Sequence, residues 1–226
     1  MLLAHAFEKI IDSATSEREV LRCLKQNENA WILPYALSVT TVGNYVVAEF
    51  PFGTDHRADF VLMAPFSGGF DVQFIEMEPP SERLFTRSGT PAKRLAGALT
   101  QVLDWKIFVE KERHTVLREL SKFAEKEELL WKLGTEMKDN AGLPIHRPKA
   151  WINWSYHIVI GRRKSLSEVE LGRKAALRAA HGVDVATYDR LINGARKLDQ
   201  SERYTLAEKK QPKKTKTAGQ KCQRKT

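Results

Sequence analysis

Carboxylates placed where apolar residues belong are the first sign of chemistry in this chain of 226 residues. Asp59 lies inside Arg57-Ala58-Asp59-Phe60-Val61-Leu62, and Glu76 and Glu78 lie in Val72-Gln73-Phe74-Ile75-Glu76-Met77-Glu78. Strands of this composition normally expel acids, because burying an unpaired charge is costly. Metal ligation is one reason to keep them. Residues two apart on a strand share a face, so Glu76 and Glu78 project together, and a neighbouring hairpin strand can set Asp59 beside them. Three convergent carboxylates repel one another unless a cation neutralises them, and hard oxygen donors of this kind suit Mg²⁺ or Mn²⁺. In phosphodiester hydrolysis such an ion orients and acidifies water and stabilises charge growing on the phosphorus and leaving oxygens. The same short acidic pattern also arises where strand ends simply meet water, so by itself it leaves both readings open.

The elements that must position these side chains follow from periodicity. Residues 1–28 read as two helical segments, one carrying Phe7, Ile10 and Ile11, the other opened by Ser16-Glu17-Arg18-Glu19 and carrying Val20, Leu21 and Leu24. Pro34 is expected to bar a helix through Trp31-Ile32-Leu33. Three strands are predicted over 44–52, 58–63 and 70–77, antiparallel because their connections are short. Pro79-Pro80 ends the third. From Pro91 to about Trp131 the period is helical, with Leu95, Leu99, Val102 and Trp105 on a buried stripe. A strand over 151–160, a helix over 167–180, a short strand over 183–186 and a helix over 188–197 complete the order. This predicts an α/β fold, a central mixed sheet flanked by helices. The expected organisation is an N-terminal helical segment (1–28), a main domain (29–197) and a basic, disordered tail (198–226).

Charge and composition bound the function. Of the net charge of +9, eight charges come from the acid-free stretch beginning at Lys209, which leaves +1 on the residues before it. The tail can raise non-specific affinity for nucleic acid through counterion release, or it can simply be solvated. No apolar run approaches the roughly 18 to 20 residues that cross a bilayer, so a cytoplasmic protein with no membrane partner is expected. Two cysteines, Cys23 and Cys222, offer no zinc spacing. Six scattered histidines lack ligand spacing, and His56 draws notice only because it stands three residues before Asp59. No Walker, dinucleotide or serine-nucleophile motif is present. Arg162 and Arg163 follow a strand at a Gly-marked turn, where guanidinium groups can grip phosphates or be solvated. Arg83, Arg87, Lys93 and Arg94 flank the loop after Glu78 and could line a DNA path.

The stretches Asp59-Phe60-Val61-Leu62, Phe74 through Gly89 and Ala98 through Trp105 resemble the nuclease domain of the Shedu anti-phage defence family. Asn29-Ala30-Trp31-Ile32-Leu33-Pro34, Ile158-Val159-Ile160-Gly161-Arg162-Arg163 and Thr187-Tyr188-Asp189-Arg190-Leu191-Ile192 extend the similarity across about residues 25–195. The resemblance implies a restriction-endonuclease-like fold of the PD-(D/E)xK type, metal-dependent DNA cleavage in bacterial defence, and homo-oligomeric assembly. It also implies that Asp59 and Glu76 are metal ligands, and that Gln101 faces the cluster while Trp105, four residues on, packs beneath it. Glu78 departs from the commonest family pattern, which has a lysine there. That lysine positions water and offsets transition-state charge, so a glutamate leaves two outcomes: a site in which Glu78 is general base or extra ligand, or a non-catalytic DNA-binding or assembly subunit. An RNA-binding accessory protein is a third reading.

Overall fold

The protein was analysed as a computed structural model, which describes residues 3–26, 28–37, 44–53, 56–130 and 136–201. Helices α1 (Leu3–Ser13) and α2 (Glu17–Leu24) lead into a 3-10 turn (Asn29–Trp31) and α3 (Ile32–Leu37). Three strands follow: β1 (Tyr45–Phe52), β2 (His56–Phe66) and β3 (Gly69–Met77). Next come α4 (Lys93–Lys111), α5 (Arg113–Glu127), β4 (Trp151–Val159), α6 (Glu168–His181), β5 (Val183–Ala186) and α7 (Tyr188–Asp199). The fold is α/β, as the sequence implies. The basic tail from residue 202 onward, Cys222 and Trp131 lie outside the described residues.

One five-stranded sheet runs in the order β1-β2-β3-β4-β5. The first three strands are antiparallel meanders, and β4 and β5 add parallel to β3, so the sheet is mixed. The parallel additions require crossovers, supplied by α4 and α5 and then by α6. Alternation along β3 sorts side chains to two cores. Phe70, Val72 and Phe74 meet α4 and α5, with Leu95, Val102, Trp105 and Leu120. Ile75 and Met77 point to the other side, where Phe7, Val20, Leu33 and Leu191 supply the packing of α1, α2, α3 and α7. Helices thus cover both faces.

One expectation is corrected. A helix does cover Ile32-Leu33, because α3 begins at Ile32 and holds Pro34 in its first turn. There the backbone N–H has no acceptor within the helix, so a proline removes no bond. The long helical stretch after Pro91 is two helices, divided at Glu112, whose φ of −114° and ψ of 29° leave helical geometry.

Candidate functional site

The site forms where β3 leaves the sheet. Glu76 continues the row of Phe70, Val72 and Phe74, so it is driven toward the α4 face and is only 9% exposed. Glu78 shares its face but stands beyond the strand end, and its backbone N–H still donates to Val159 O at 2.8 Å. The hydroxyl of Tyr188, at the start of α7, donates to Glu78 O at 2.7 Å. The backbone of Glu78 is therefore held from both β4 and α7.

Asp59 arrives from β2. The β2–β3 register ends at Phe60 opposite Ile75, one residue short of Asp59 and Glu76, so the two acids stand just beyond the ladder. Both neighbouring strands turn over at this level. Val47 and Phe50 of β1, and Ala58 and Val61 of β2, face one core at odd spacing, while Val46 and Phe60 face the other. In β1 the inversion falls on Glu49, whose φ of 57° is left-handed, and Lys25 at the end of α2 binds its carboxylate at 2.5 Å. In β2 it falls on Asp59, whose Oδ2 accepts the Met77 backbone N–H at 2.7 Å. The side chain takes the place of a ladder bond.

Gln101, midway along α4, approaches the Glu76 carboxyl and favours its ionised form. Two turns earlier on the same face, Arg94 Nη1 lies 3.7 Å from Glu78 Oε2. Trp105, one turn after Gln101, is fully buried beneath them. Asp59, Glu76, Glu78 and Gln101 therefore share one locality. Arg83 and Arg87 are exposed on the loop that follows Glu78. Arg162 is placed differently: its guanidinium is held by Asp12 of α1 and by Asp189 of α7, 3.3 Å away, so its charge is balanced within the fold. Arg163 is half-exposed and lies 3.6 Å from Glu168. His56 opens β2 opposite Phe52.

The electrostatics oppose ionisation of the cluster. Burial raises Glu76 to about 9, reinforced by the charges of Asp59 and Glu78 and opposed by the neighbouring Gln101 amide. Glu78 is raised to about 7 by burial, against the pull of Arg94. Asp59 is raised to about 6 by burial, against its Met77 hydrogen bond. Glu17, in the first turn of α2, adds negative potential at all three. Tyr188, fully buried, is pushed well above its ordinary value by burial and by the charges of Asp59, Glu17 and Glu78.

Among the described residues, no three His, Cys, Asp or Glu side chains already stand in coordination geometry. The direction of Asp59 Oδ2 toward Met77 N is one visible cause. The donor set itself suits a hard divalent cation. It is all oxygen, its charge is resisted by the surroundings, and Glu76 Oε2 is buried with no partner.

The chain matches the family described as Shedu protein SduA, C-terminal, over residues 14–192. It belongs to that family. The matched region contains all three carboxylates, Gln101 and Tyr188, and leaves out the whole of α1. Shedu membership points to anti-phage defence. No curated protein matches the sequence. Among the described residues of this Shedu-family chain, no helix is long and apolar enough to cross a membrane.

Sequence reasoning found the acids and Gln101 but gave no role to Tyr188, Glu17 or the pair Lys25–Glu49. Tyr188 had a signal, an aromatic after Thr187 at a helix start. Glu17 had none beyond an ordinary acidic first turn.

Proposed function

We propose that this chain is a divalent-metal-dependent DNA endonuclease acting in anti-phage defence. The observation that carries the reading is the grouping of Asp59, Glu76 and Glu78 at one strand end, each raised by burial as a carboxylate site without its cation would be. Asp59, Glu76 and Glu78 are the residues that would hold Mg²⁺ or Mn²⁺. When bound, that ion supplies Lewis-acid stabilisation of phosphate charge. Gln101, beside Glu76, favours its ionised form. Glu78, raised to about 7, sits where a carboxylate can take a proton from water near neutral pH. Arg94 beside it offers the positive charge that an acidic cluster lacks, and a guanidinium can bind a phosphate oxygen directly. Arg83 and Arg87 are free to meet the DNA backbone, as is the exposed part of Arg163; Arg162 is the least suited of the four to do so. The reading includes assembly as a homo-oligomer, taken from the family resemblance.

Cleavage of DNA by the purified chain with Mg²⁺ or Mn²⁺ tests the proposal. Activity is expected in the wild type and is expected to fall at least a hundredfold in Glu76→Ala, about 2.7 kcal/mol or more of transition-state stabilisation. One observation favours a second reading, a non-catalytic DNA-binding or assembly subunit: Asp59 is committed to Met77 N, and no coordination geometry is in place among the described residues. DNA binding without cleavage, together with no Mn²⁺ heat in calorimetry, is the outcome that selects it.

A further inference from the structure

At the far end of α4 from the carboxylates a cleft of about 880 Å³ opens between that helix and the first half of β4. Its floor is aromatic. Trp154 stacks on Phe74 with ring centres 5.8 Å apart and planes 10° from parallel, and Tyr156 stacks on the same ring at 5.6 Å. Trp151 stands at the mouth, 68% exposed. Its Nε1 donates to Asn153 Oδ1 at 2.8 Å, and Asn153 in turn donates to Asp71 Oδ1 at 2.8 Å, so the indole leaves β4 on the face opposite Trp154, with its one polar atom satisfied and its ring in solvent beside the strand edge. β5 pairs only with residues from Tyr156 onward, which leaves Trp151 to Ser155 as an uncovered strand edge among the described residues.

The rim is cationic. Lys106 donates to His181 O at 2.6 Å and lies 5.6 Å from the Tyr156 ring centre. Arg113 donates to Ala150 O at 2.9 Å, and Lys149 is exposed beside it. Glu110 is the one acid among the lining residues, set against these three cations. Flat apolar surfaces at the base of a groove edged by positive charge match an unpaired nucleic-acid strand, whose bases carry π-faces and whose backbone carries the anions. A duplex hides those faces, and an apolar peptide or a second copy of the chain gains nothing from the cationic rim.

We propose that this cleft is a binding site for single-stranded nucleic acid, with one base stacked against Trp154 inside it, a neighbouring base against Trp151 across the uncovered edge of β4, and the backbone held by Lys106, Arg113 and Lys149. It stands independently of the carboxylate chemistry, and its test separates the two. Fluorescence anisotropy of the full chain in EDTA, in a Glu76→Gln background, uses three probes: a short oligothymidylate, its abasic counterpart and a duplex of equal length. The basic tail is common to every variant. Trp151→Ala is expected to weaken oligothymidylate binding roughly fivefold or more, the range of one lost base stack. Trp154→Leu, which keeps apolar bulk without a stackable ring, is expected to do the same. Abasic and duplex binding should not change in either, and Lys149→Glu should weaken both single-stranded probes. Unchanged oligothymidylate affinity in Trp151→Ala overturns the proposal, as does an equal loss with the abasic strand. Self-association that Trp151→Ala abolishes and the oligonucleotide does not compete with also overturns it, and identifies a second copy as the occupant. Failure of the wild type to cleave DNA while these differences hold removes the nuclease reading alone.

Discussion

Replacing Glu76 by glutamine should stabilise the metal-free protein, although it removes the most buried acid of the candidate site. Its pKa rises from 4.5 to about 9 on folding, chiefly through burial and then through Asp59 and Glu78. Below the lower value both folded and unfolded chains carry the proton, and no penalty exists. Between the two values the unfolded chain releases the proton while the folded one retains it, so wild-type stability falls as pH rises through that window. Near pH 7.5 the ceiling is about 4 kcal/mol, since each pH unit above the ordinary value contributes about 1.4 kcal/mol. A working figure is half of that, about 2 kcal/mol, because the amide must share Gln101 and bury its own donors. For a chain of this size that corresponds to a rise of about 4–8 °C in thermal midpoint. The assay is denaturant unfolding in EDTA at several pH values between 5 and 9, with Mg²⁺ added in a parallel series. The variant should be no more stable than wild type at the acidic end and gain on it steadily as pH rises, and Mg²⁺ should offset that gain by stabilising only the wild type. A gain that is absent, or that shrinks as pH rises, would refute the placement of Glu76 as a buried acid forced to stay neutral.

Three further outcomes are expected. Tyr188→Phe deletes the 2.7 Å bond to Glu78 O inside a fully buried site, so unfolding should show a loss of about 1–2 kcal/mol. Arg94→Ala leaves burial of Glu78 unopposed; the rise of cleavage with pH should shift to higher pH, and Arg94→Lys should restore part of it, as read from a pH–rate profile. Asp184 is held below the ordinary carboxylate range by His157 beside it and by Arg190 at 2.5 Å. Its contribution is present above 3.8 and lost as pH falls below that value, so the deficit of Asp184→Asn in denaturant melts should disappear in acid.

Much of this architecture is legible in the residues because strand and helix periods are strong where burial is complete. The alternation of Phe70, Val72 and Phe74 marks β3, and the capping box of Ser167 and Glu170 marks the start of α6. Pro34 misleads because a proline rule that holds inside a helix does not hold in its first turn. The grouping of Asp59 with Glu76 is only half visible. Two-residue spacing announces that Glu76 and Glu78 share a face, but the inversion of β1 at Glu49 is written in a backbone angle and that of β2 at Asp59 in a side-chain bond to Met77 N, not in residue types. Tyr188 and Glu17 come to the site through the packing of α7 and α2, contacts distant in sequence that no local pattern encodes.

The bridge from Arg162 to Asp12 and Asp189 bears on how the protein can be divided. Asp12 belongs to α1, which also lodges Phe7 and Ile11 in the core and whose first turn, at Leu3 and Ala4, donates backbone N–H groups to Asp199 of α7. The whole of that helix precedes the stretch shared with the family. A fragment trimmed to the shared boundary would therefore strip a wall from the core under α7 and leave Asp189 as the one anion on the Arg162 guanidinium. Its insolubility would say nothing about the chemistry of the remaining residues.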